Sequence, residues 1–167
     1  MRRRNILSFC MAFALALIVV HCGLPPALQA QMAMPFVKRD IYSATADPSK
    51  DIPAAIRQAK VGHKRIILDF GGNWCGDCIV LDMYMHQSPN AELIQKHFVL
   101  VHIDIGQYDR NVDVAKRYKI PLEKGVPALA ILDSTGKLLF SQRNKEFEKM
   151  GAVTPRDVTE FLKRWKA

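Results

Sequence analysis

The sequence predicts an α/β domain in which a mixed central sheet carries helices on both faces. Two continuous apolar runs indicate buried strands, and segments with helical periodicity lie before, between and after them. Two shorter apolar runs, joined by a turn-rich tetrapeptide, indicate an antiparallel hairpin. A sheet that contains both helical crossovers and a hairpin has parallel and antiparallel pairs, so we expect a mixed sheet.

Length and composition indicate one packed domain with a short extension. The chain has 167 residues, of which 49% are hydrophobic and 24% charged, unlike low-complexity or disordered proteins. Its 24 basic and 16 acidic residues give a net charge of +8. The basic runs at His63–Arg65 and Lys116–Arg117 are scattered and lack interleaved aromatic residues. We therefore expect no nucleic-acid partner, and we expect a monomer.

The first thirty residues have the pattern of a secretory signal peptide. Basic residues Arg2–Arg4 precede the apolar run Ile6–Val20, which is shorter than a membrane-spanning helix requires. We expect cleavage after Ala30 and a periplasmic or secreted mature protein. The alternatives are an uncleaved membrane anchor, export by a twin-arginine route and lipidation at Cys22.

The remaining chain is predicted to contain an extended leader and a single domain. Residues 31–50 are polar and interrupted by prolines, which indicates a leader, and the domain is expected to span residues 51–167. A hairpin turn is expected at 133–136, and the last helix begins with a capping box at Thr154. The predicted helices are Asp51–Lys60, Cys75 to His86, Ser88 to Lys96, Val112–Tyr118 and one from Thr154, and the predicted strands are Arg65–Phe70, Phe98–Ile105, Ala128–Leu132 and Lys137–Ser141.

Cys75 and Cys78 are the candidate reactive residues. Residues three apart on a helix have neighbouring Cβ atoms, and this spacing fits the geometry of a disulfide. Cys75 is expected at the start of its helix, where unpaired N–H groups and the helix dipole favour a thiolate. Cys75 is therefore the predicted nucleophile, and Cys78 is the predicted resolving thiol.

Two motifs resemble those of the thioredoxin family. The segment Asp69–Cys78 (DFGGNWCGDC) is similar to that family's D-F-x-x-x-W-C-G-P-C, and Gly125–Leu129 (GVPAL) is similar to its G-[IV]-P-T-L. The resemblance extends over Ile52 to Trp165. The chain also resembles the thioredoxin-like C-terminal domain of the bacterial membrane disulfide-interchange reductase.

The resemblance implies a thioredoxin fold and specific roles for several residues. Cys75 would attack a disulfide of a partner protein, Cys78 would resolve the mixed disulfide, and Asp69 would accept the Cys78 proton. A carboxylate in an apolar strand is poorly solvated and can act as a base near neutral pH, which agrees with that role. The rim of the site, with a cis proline and a backbone edge for a substrate strand, would comprise Trp74, Gly76, Val126 and Pro127.

Two departures from the family pattern bear on the redox chemistry. Asp77 replaces the proline between the cysteines and brings a negative charge near the thiolate. We expect this charge to disfavour the reduced state and to give a potential nearer about −270 mV than about −120 mV. Leu100 stands where the family often has a lysine near the buried acid, so the resemblance does not carry the family's tuning of that acid over to Asp69.

Other readings of the same residues are metal binding and a structural role. A lone C-x-x-C can be half of a zinc site, but a second closely spaced pair of ligands is missing from the sequence, so no metal is expected. Met83, Met85 and His86 could suggest Cu(I), although helical methionines are usually core residues. His102 lies in a predicted central strand and is interpreted as a core histidine rather than a catalytic one.

The sequence therefore predicts an exported thiol-disulfide oxidoreductase of the protein-disulfide reductase type. It would act on protein thiols and disulfides, take electrons from an upstream thiol reductant and require no cofactor. Membrane contact is expected only through the signal or an uncleaved anchor. The alternatives are a disulfide oxidase or isomerase, and a non-catalytic thioredoxin-fold module for binding or assembly.

Overall fold

The computed structural model describes residues 40–144, 146–147 and 149–167. The predicted signal peptide and most of the predicted leader lie outside these residues. In chain order the helices are α1 (Pro48–Gly62), α2 (Gly76–Met85), α3 (Asn90–His97), α4 (Val112–Arg117) and α5 (Pro155–Trp165), and the strands are β1 (Arg65–Gly71), β2 (Phe98–Asp104), β3 (Ala128–Leu132) and β4 (Leu138–Ser141).

The four strands form one mixed sheet in the order β2-β1-β3-β4. β1 is parallel to β2 and antiparallel to β3, and β3 pairs with β4 as the predicted hairpin. The predicted fold class, an α/β thioredoxin fold with a mixed sheet, is confirmed. Asp69 in β1 is directly opposite His102 on one side and Leu129 on the other.

Apolar side chains cover both faces of the sheet because successive residues of a strand point to opposite sides. Ile66, Leu68 and Phe70 of β1 pack in the cluster that contains residues of α1 and α4. Ile67 and Leu129 belong to the second cluster, with residues of α2 and α5. The predicted arrangement of helices on both faces follows from this alternation.

The folded domain begins earlier than the expected Asp51. α1 begins at Pro48, with Asp47 as its N-cap accepting a bond from the Ser49 N–H. Residues Asp40–Asp47, here called the strap, lie against the domain, and Tyr42 is only 1% exposed. The leader prediction is therefore wrong for residues 40–50. The strap is held against the domain by side-chain contacts, and its sequence has neither helical nor strand periodicity from which this packing could be predicted.

β2 is an edge strand and not a central one. Four of its seven residues are only half-buried, including His102. The sequence prediction that His102 lies in a central strand is therefore wrong. α1 covers part of this edge strand, which accounts for the apolar composition of the strand. An apolar run therefore predicts a strand but not whether the strand is central or at the edge of the sheet.

α3 begins one residue later than expected. The sequence predicts a helix from Ser88, with Ser88 as the N-cap, but Pro89 is the N-cap and the Ser88–Pro89 bond is cis. Asn90 is buried and its Nδ2 donates to the Tyr84 carbonyl at 2.9 Å, while the Thr159 hydroxyl donates to Asn90 Oδ1 at 2.6 Å. These bonds tie the start of α3 to α2 and α5.

The last helix begins as predicted. The Thr154 hydroxyl accepts from the Asp157 N–H, and Asp157 Oδ2 accepts from the Thr154 N–H at 2.8 Å, which is a capping box. Among the residues that the structure describes, no helix is long and apolar enough to cross a membrane.

Candidate active site

Cys75 and Cys78 form a disulfide where β1 passes into α2. Their Cα atoms are 5.3 Å apart. Cys75 is the N-cap of α2, and its Sγ accepts a bond from the Cys78 N–H at 3.1 Å. The Cys75 sulfur therefore lies at a helix N-terminus, where free N–H groups and the helix dipole stabilise a thiolate.

The two sulfurs differ in their access to solvent. Cys75 is 6% exposed and Cys78 is fully buried. Gly76, next to Cys75, is exposed, and a Cβ added there would meet no atom within 4 Å. A partner protein can therefore approach Cys75 but not Cys78.

The proline loop brings the second predicted motif to the disulfide. The Val126–Pro127 peptide bond is cis, and the Val126 carbonyl oxygen lies 3.6 Å from Cys75 Sγ. β3 begins at Ala128, which is paired with Phe70 at the end of β1. The sheet thus places this loop beside Cys75, although the two are far apart in the sequence.

An aromatic pair forms the outer rim of the site. Trp74 is 46% exposed, and its Nε1 donates to the Gly106 carbonyl. The rings of Trp74 and Tyr108 have centroids 5.5 Å apart, and Tyr108 is also exposed. A groove of about 530 Å³ adjoins this pair, lined by Tyr108, Val112, Leu122, Glu123, Lys124 and Gly125. Tyr108 was not predicted as a site residue.

Asp69 is enclosed on the other side of the disulfide. It is 1% exposed, and its Oδ2 accepts from the Tyr42 hydroxyl at 2.7 Å. The same oxygen lies 2.9 Å from His102 Nδ1, which must carry a hydrogen to form this bond. Asp69 Oδ1 is buried and has no hydrogen-bond partner among the described residues.

Gly71 allows the Tyr42 hydroxyl to lie close to Cys78. A Cβ added to Gly71 would collide with that hydroxyl and would lie 2.9 Å from Cys78 Sγ. The hydroxyl and the sulfur are therefore neighbours across the space that the missing side chain leaves. Tyr42 contacts the Asp69 carboxylate directly, and its hydroxyl borders the same space as Cys78 Sγ.

Burial and charge fix the protonation of the two Asp69 partners. Burial, together with the nearby Asp69 charge, raises the pKa of Tyr42 well above its ordinary value, so its hydroxyl remains a donor. Burial disfavours a charged His102, but its bond to Asp69 and the charges of Asp69 and Asp82 outweigh this and raise the pKa of His102. Asp82 is itself buried and lies 3.1 Å from His86 Nδ1.

Tyr42 was not predicted as a site residue, and His102 was predicted to be a core histidine. His102 is the fifth residue of β2 and Asp69 is the fifth of β1, and these strands pair from their first residues. Equal distance from the strand start therefore identifies His102 as the partner of Asp69 only once the pairing of β1 with β2 is known. Leu100, at the family's lysine position, is opposite Ile67 and packs in the second apolar cluster.

The thioredoxin-like family model matches residues 47–134. The chain belongs to this family. This thioredoxin-like chain is 33% identical over 104 residues to a thioredoxin H-type of Fagopyrum esculentum, with 59% of this chain and 80% of that protein covered. Its structure is similar to that of a disulphide isomerase from Xylella fastidiosa Temecula1, with a TM-score of 0.72, 31% identity, and 77% of this chain and 98% of that chain covered.

A lower similarity relates this thioredoxin-like chain to the oxidised C-terminal domain of DsbD from Neisseria meningitidis. The TM-score is 0.46 at 21% identity, with 60% of this chain and 85% of that chain covered. The family and the Cys75–Cys78 disulfide together assign the chain to the thioredoxin-fold thiol-disulfide oxidoreductases. In the described part of the chain, no group of three or more His, Cys, Asp or Glu residues could hold a metal ion.

Proposed function

We propose that this protein is an exported protein-disulfide reductase. The observation that carries the proposal is the unequal burial of one redox pair. Cys75 lies at a helix N-terminus beside the cis-proline loop, while Cys78 is fully enclosed. An accessible nucleophile and a protected resolving thiol are what a two-step exchange through a mixed disulfide requires.

The reduced protein would react in two steps. The Cys75 thiolate attacks one sulfur of the partner's disulfide, and the other partner sulfur leaves as a thiolate. Cys78 then loses its proton to Asp69 and attacks Cys75 Sγ, which releases the second partner thiolate. Both partner thiolates take protons from water, and the Cys75–Cys78 disulfide forms. An upstream dithiol supplies the two electrons that reduce it again.

The rim residues would hold the partner during this exchange. The Val126 backbone lies beside Cys75 and would pair with an extended partner strand, with Pro127 closing one side. Gly76 leaves the approach open, and Trp74 offers an exposed aromatic surface. These contacts involve backbone and aromatic groups, so they would accept many partner sequences.

The acidic surroundings of the cysteines favour the reducing direction. Asp77 lies in the first turn of α2, Asp69 and Asp82 are buried, and α2 contains no basic residue. Negative charges raise the free energy of a thiolate and therefore of the reduced state. We expect a reduction potential near about −270 mV, and equilibration with glutathione would measure it.

Insulin reduction and trapping test the enzyme function. The wild-type protein should accelerate insulin reduction by a dithiol, and Cys78→Ser should accumulate mixed disulfides with partner proteins through Cys75. Cys75→Ser is the matched control and should form none. If the wild type does not accelerate insulin reduction and Cys78→Ser traps no partner, a non-catalytic binding or assembly module would be favoured instead.

Disulfide isomerisation is the second candidate function. It is favoured by the 31% identity to the Xylella protein, which is described as a disulphide isomerase. Reactivation of a protein with scrambled disulfides distinguishes the two functions, since a reductase would leave free thiols and an isomerase would restore native bonds. A potential near about −120 mV would favour an oxidase.

Export of the protein is a proposal that rests on residues 1–30. The basic start and the apolar run that follows have the composition of a signal peptide. Cell fractionation and the mass of the mature chain test it, with cleavage expected after Ala30. A full-length chain in the membrane fraction would indicate an uncleaved anchor.

A further inference from the structure

We propose that the Tyr42 hydroxyl carries the Cys78 proton to Asp69, and that His102 is a positioning residue that holds Asp69 for this transfer. The proposal rests on the proposed function, because it concerns the step in which Cys78 resolves a mixed disulfide. It adds two residues that lie outside both sequence motifs.

The Tyr42 hydroxyl is placed to connect Cys78 with Asp69. The hydroxyl and Cys78 Sγ border the same space, the one left by the missing Gly71 side chain, and the hydroxyl donates to Asp69 Oδ2 at 2.7 Å. A hydroxyl is both a donor and an acceptor. It can therefore receive the thiol proton while it passes its own proton to the carboxylate.

The two oxygens of the Asp69 carboxylate differ in their hydrogen bonding. Oδ2 has two partners, whereas the buried Oδ1 has none among the residues the structure describes. An unsatisfied buried oxygen is costly and uncommon in folded proteins. Protonation of the carboxylate would lower this cost, so the site is suited to taking up a proton.

The active-site segment itself holds Tyr42 in place. The Asn73 Oδ1 accepts from the N–H groups of Ile41 and Tyr42 at 2.9 and 3.0 Å, and Asn73 Nδ2 donates to the Tyr42 carbonyl at 2.8 Å. Asn73 lies two residues before Cys75. The residues that place the cysteines therefore also place the hydroxyl.

His102 connects Asp69 with the solution pH. The His102 side chain is 24% exposed and lines a cavity of about 360 Å³ between α1, β2 and the strap. The titratable groups around it are Asp69 on β1, Tyr42 on the strap, Asp82 on α2 and Asp51 on α1. When His102 is charged, it weakens the attraction of Asp69 for a proton.

The proton balance closes within the site. During resolution the Cys78 proton moves to Tyr42 as the Tyr42 proton moves to Asp69. The Cys78 thiolate forms a bond to Cys75 Sγ, the bond from Cys75 to the partner sulfur breaks, and its electron pair leaves with the partner. When an upstream dithiol reduces the disulfide, Asp69 returns the proton to Cys78 along the same path.

The test measures the two exchange steps separately with dithiobis-nitrobenzoate, a chromogenic disulfide. Cys10→Ser and Cys22→Ser are introduced into the full chain so that Cys75 and Cys78 are its remaining cysteines. The reduced protein then releases one coloured thiolate when Cys75 attacks and a second when Cys78 resolves. In Tyr42→Phe the second release should slow by roughly tenfold or more, while the first is unchanged. Tyr118→Phe, at the buried tyrosine that follows the last residue of α4, is the control and should leave both steps unchanged.

The pH dependence tests His102. In the wild type, charging of His102 at low pH weakens Asp69 as a base, so the rate of the second release should fall on the acid side of its pH profile. His102→Gln keeps a donor for Asp69 but cannot become charged. In this variant the fall in rate should therefore move to lower pH, whereas His97→Gln should follow the wild type. A purely structural role for His102 would leave the acid limb in place, and that result would overturn its assignment.

The outcomes separate this proposal from the proposed function. Equal slowing of both releases in Tyr42→Phe, or no slowing, overturns the role of Tyr42 even if the wild type reduces insulin. Selective slowing of the second release supports that role. If the wild type does not reduce insulin, the proposed function fails, and the chromogenic assay still decides whether Tyr42 carries the Cys78 proton.

Discussion

The two sulfurs of one disulfide have opposite surroundings. Cys75 faces the open side of the site, with exposed Gly76 and the Trp74–Tyr108 pair nearby. Cys78 faces an enclosed side, where Gly71, Tyr42 and Asp69 leave no access to solvent. In the proposed mechanism, partner binding and proton transfer are therefore carried out by separate groups of residues, which substitutions can address one at a time.

The largest expected effect is on the enclosed side. Gly71→Ala places a methyl group against the Tyr42 hydroxyl and 2.9 Å from Cys78 Sγ. Overpacking of this kind costs about 1–3 kcal/mol, and we expect the upper part of that range because both neighbours are held in place. Chemical denaturation of the oxidised protein measures the loss.

Gly76→Ala is the matched control on the open side. A Cβ there meets no atom within 4 Å, so the change in unfolding free energy should stay within about 0.5 kcal/mol. Equal effects of the two substitutions would contradict the contrast between the open and enclosed sides.

The next effect concerns the contact between the strap and the active-site segment. Asn73→Ala removes the side chain that bonds Ile41 and Tyr42, and it should destabilise the protein by about 1–3 kcal/mol. Limited proteolysis should cut the strap earlier than in the wild type. The exposed Asn144→Ala is the control, and an intact strap in Asn73→Ala would show that other contacts hold it.

The open side could be predicted from the sequence to a larger extent than the enclosed side. Cys75, Cys78 and Pro127 lie in compact motifs whose spacing carries the chemistry, and the alternating apolar strands predict the mixed sheet. Tyr42 lies 27 positions before Asp69 in a segment without periodicity. Its contact depends on the strap folding back, which no local pattern encodes.

His102 shows a different limit of sequence reasoning. Its strand was predicted correctly, but the strand's place at the sheet edge and its register to β1 follow from tertiary packing. That register alone places His102 opposite Asp69. A polar residue within an apolar run therefore looks like an ordinary core residue until its neighbouring strand is known.

A smaller effect is the pH dependence of stability on the enclosed side. Because the pKa of His102 is raised in the folded chain, the contribution of His102 to the free energy of unfolding is fully present below the unfolded histidine pKa of about 6.5. The contribution is lost as pH rises through the higher folded value. The groups around it are Asp69, Tyr42, Asp82 and Asp51.

His102→Gln should therefore be less stable than the wild type by about 1 kcal/mol at acidic pH, and the difference should shrink as pH rises. Denaturation at a series of pH values measures it, with His97→Gln as the control. A difference that grows with pH would mean that His102 is neutral throughout and that the sign of its pKa shift is wrong.

The smallest effect on stability, and one specific to the open side, concerns the aromatic rim. Tyr108 is 43% exposed and contacts Trp74, so Tyr108→Ala should change the unfolding free energy by less than about 0.5 kcal/mol. A contact between the Tyr108 ring and an aromatic side chain of the partner would contribute about 0.5–1.5 kcal/mol, so the KM for a protein disulfide should rise roughly three- to tenfold. The rate with dithiobis-nitrobenzoate should not change, because that small disulfide reaches Cys75 without covering the rim. Tyr108→Phe keeps the ring and should restore the KM, whereas equal losses with both substrates would place Tyr108 in the chemistry of Cys75 instead of in partner binding.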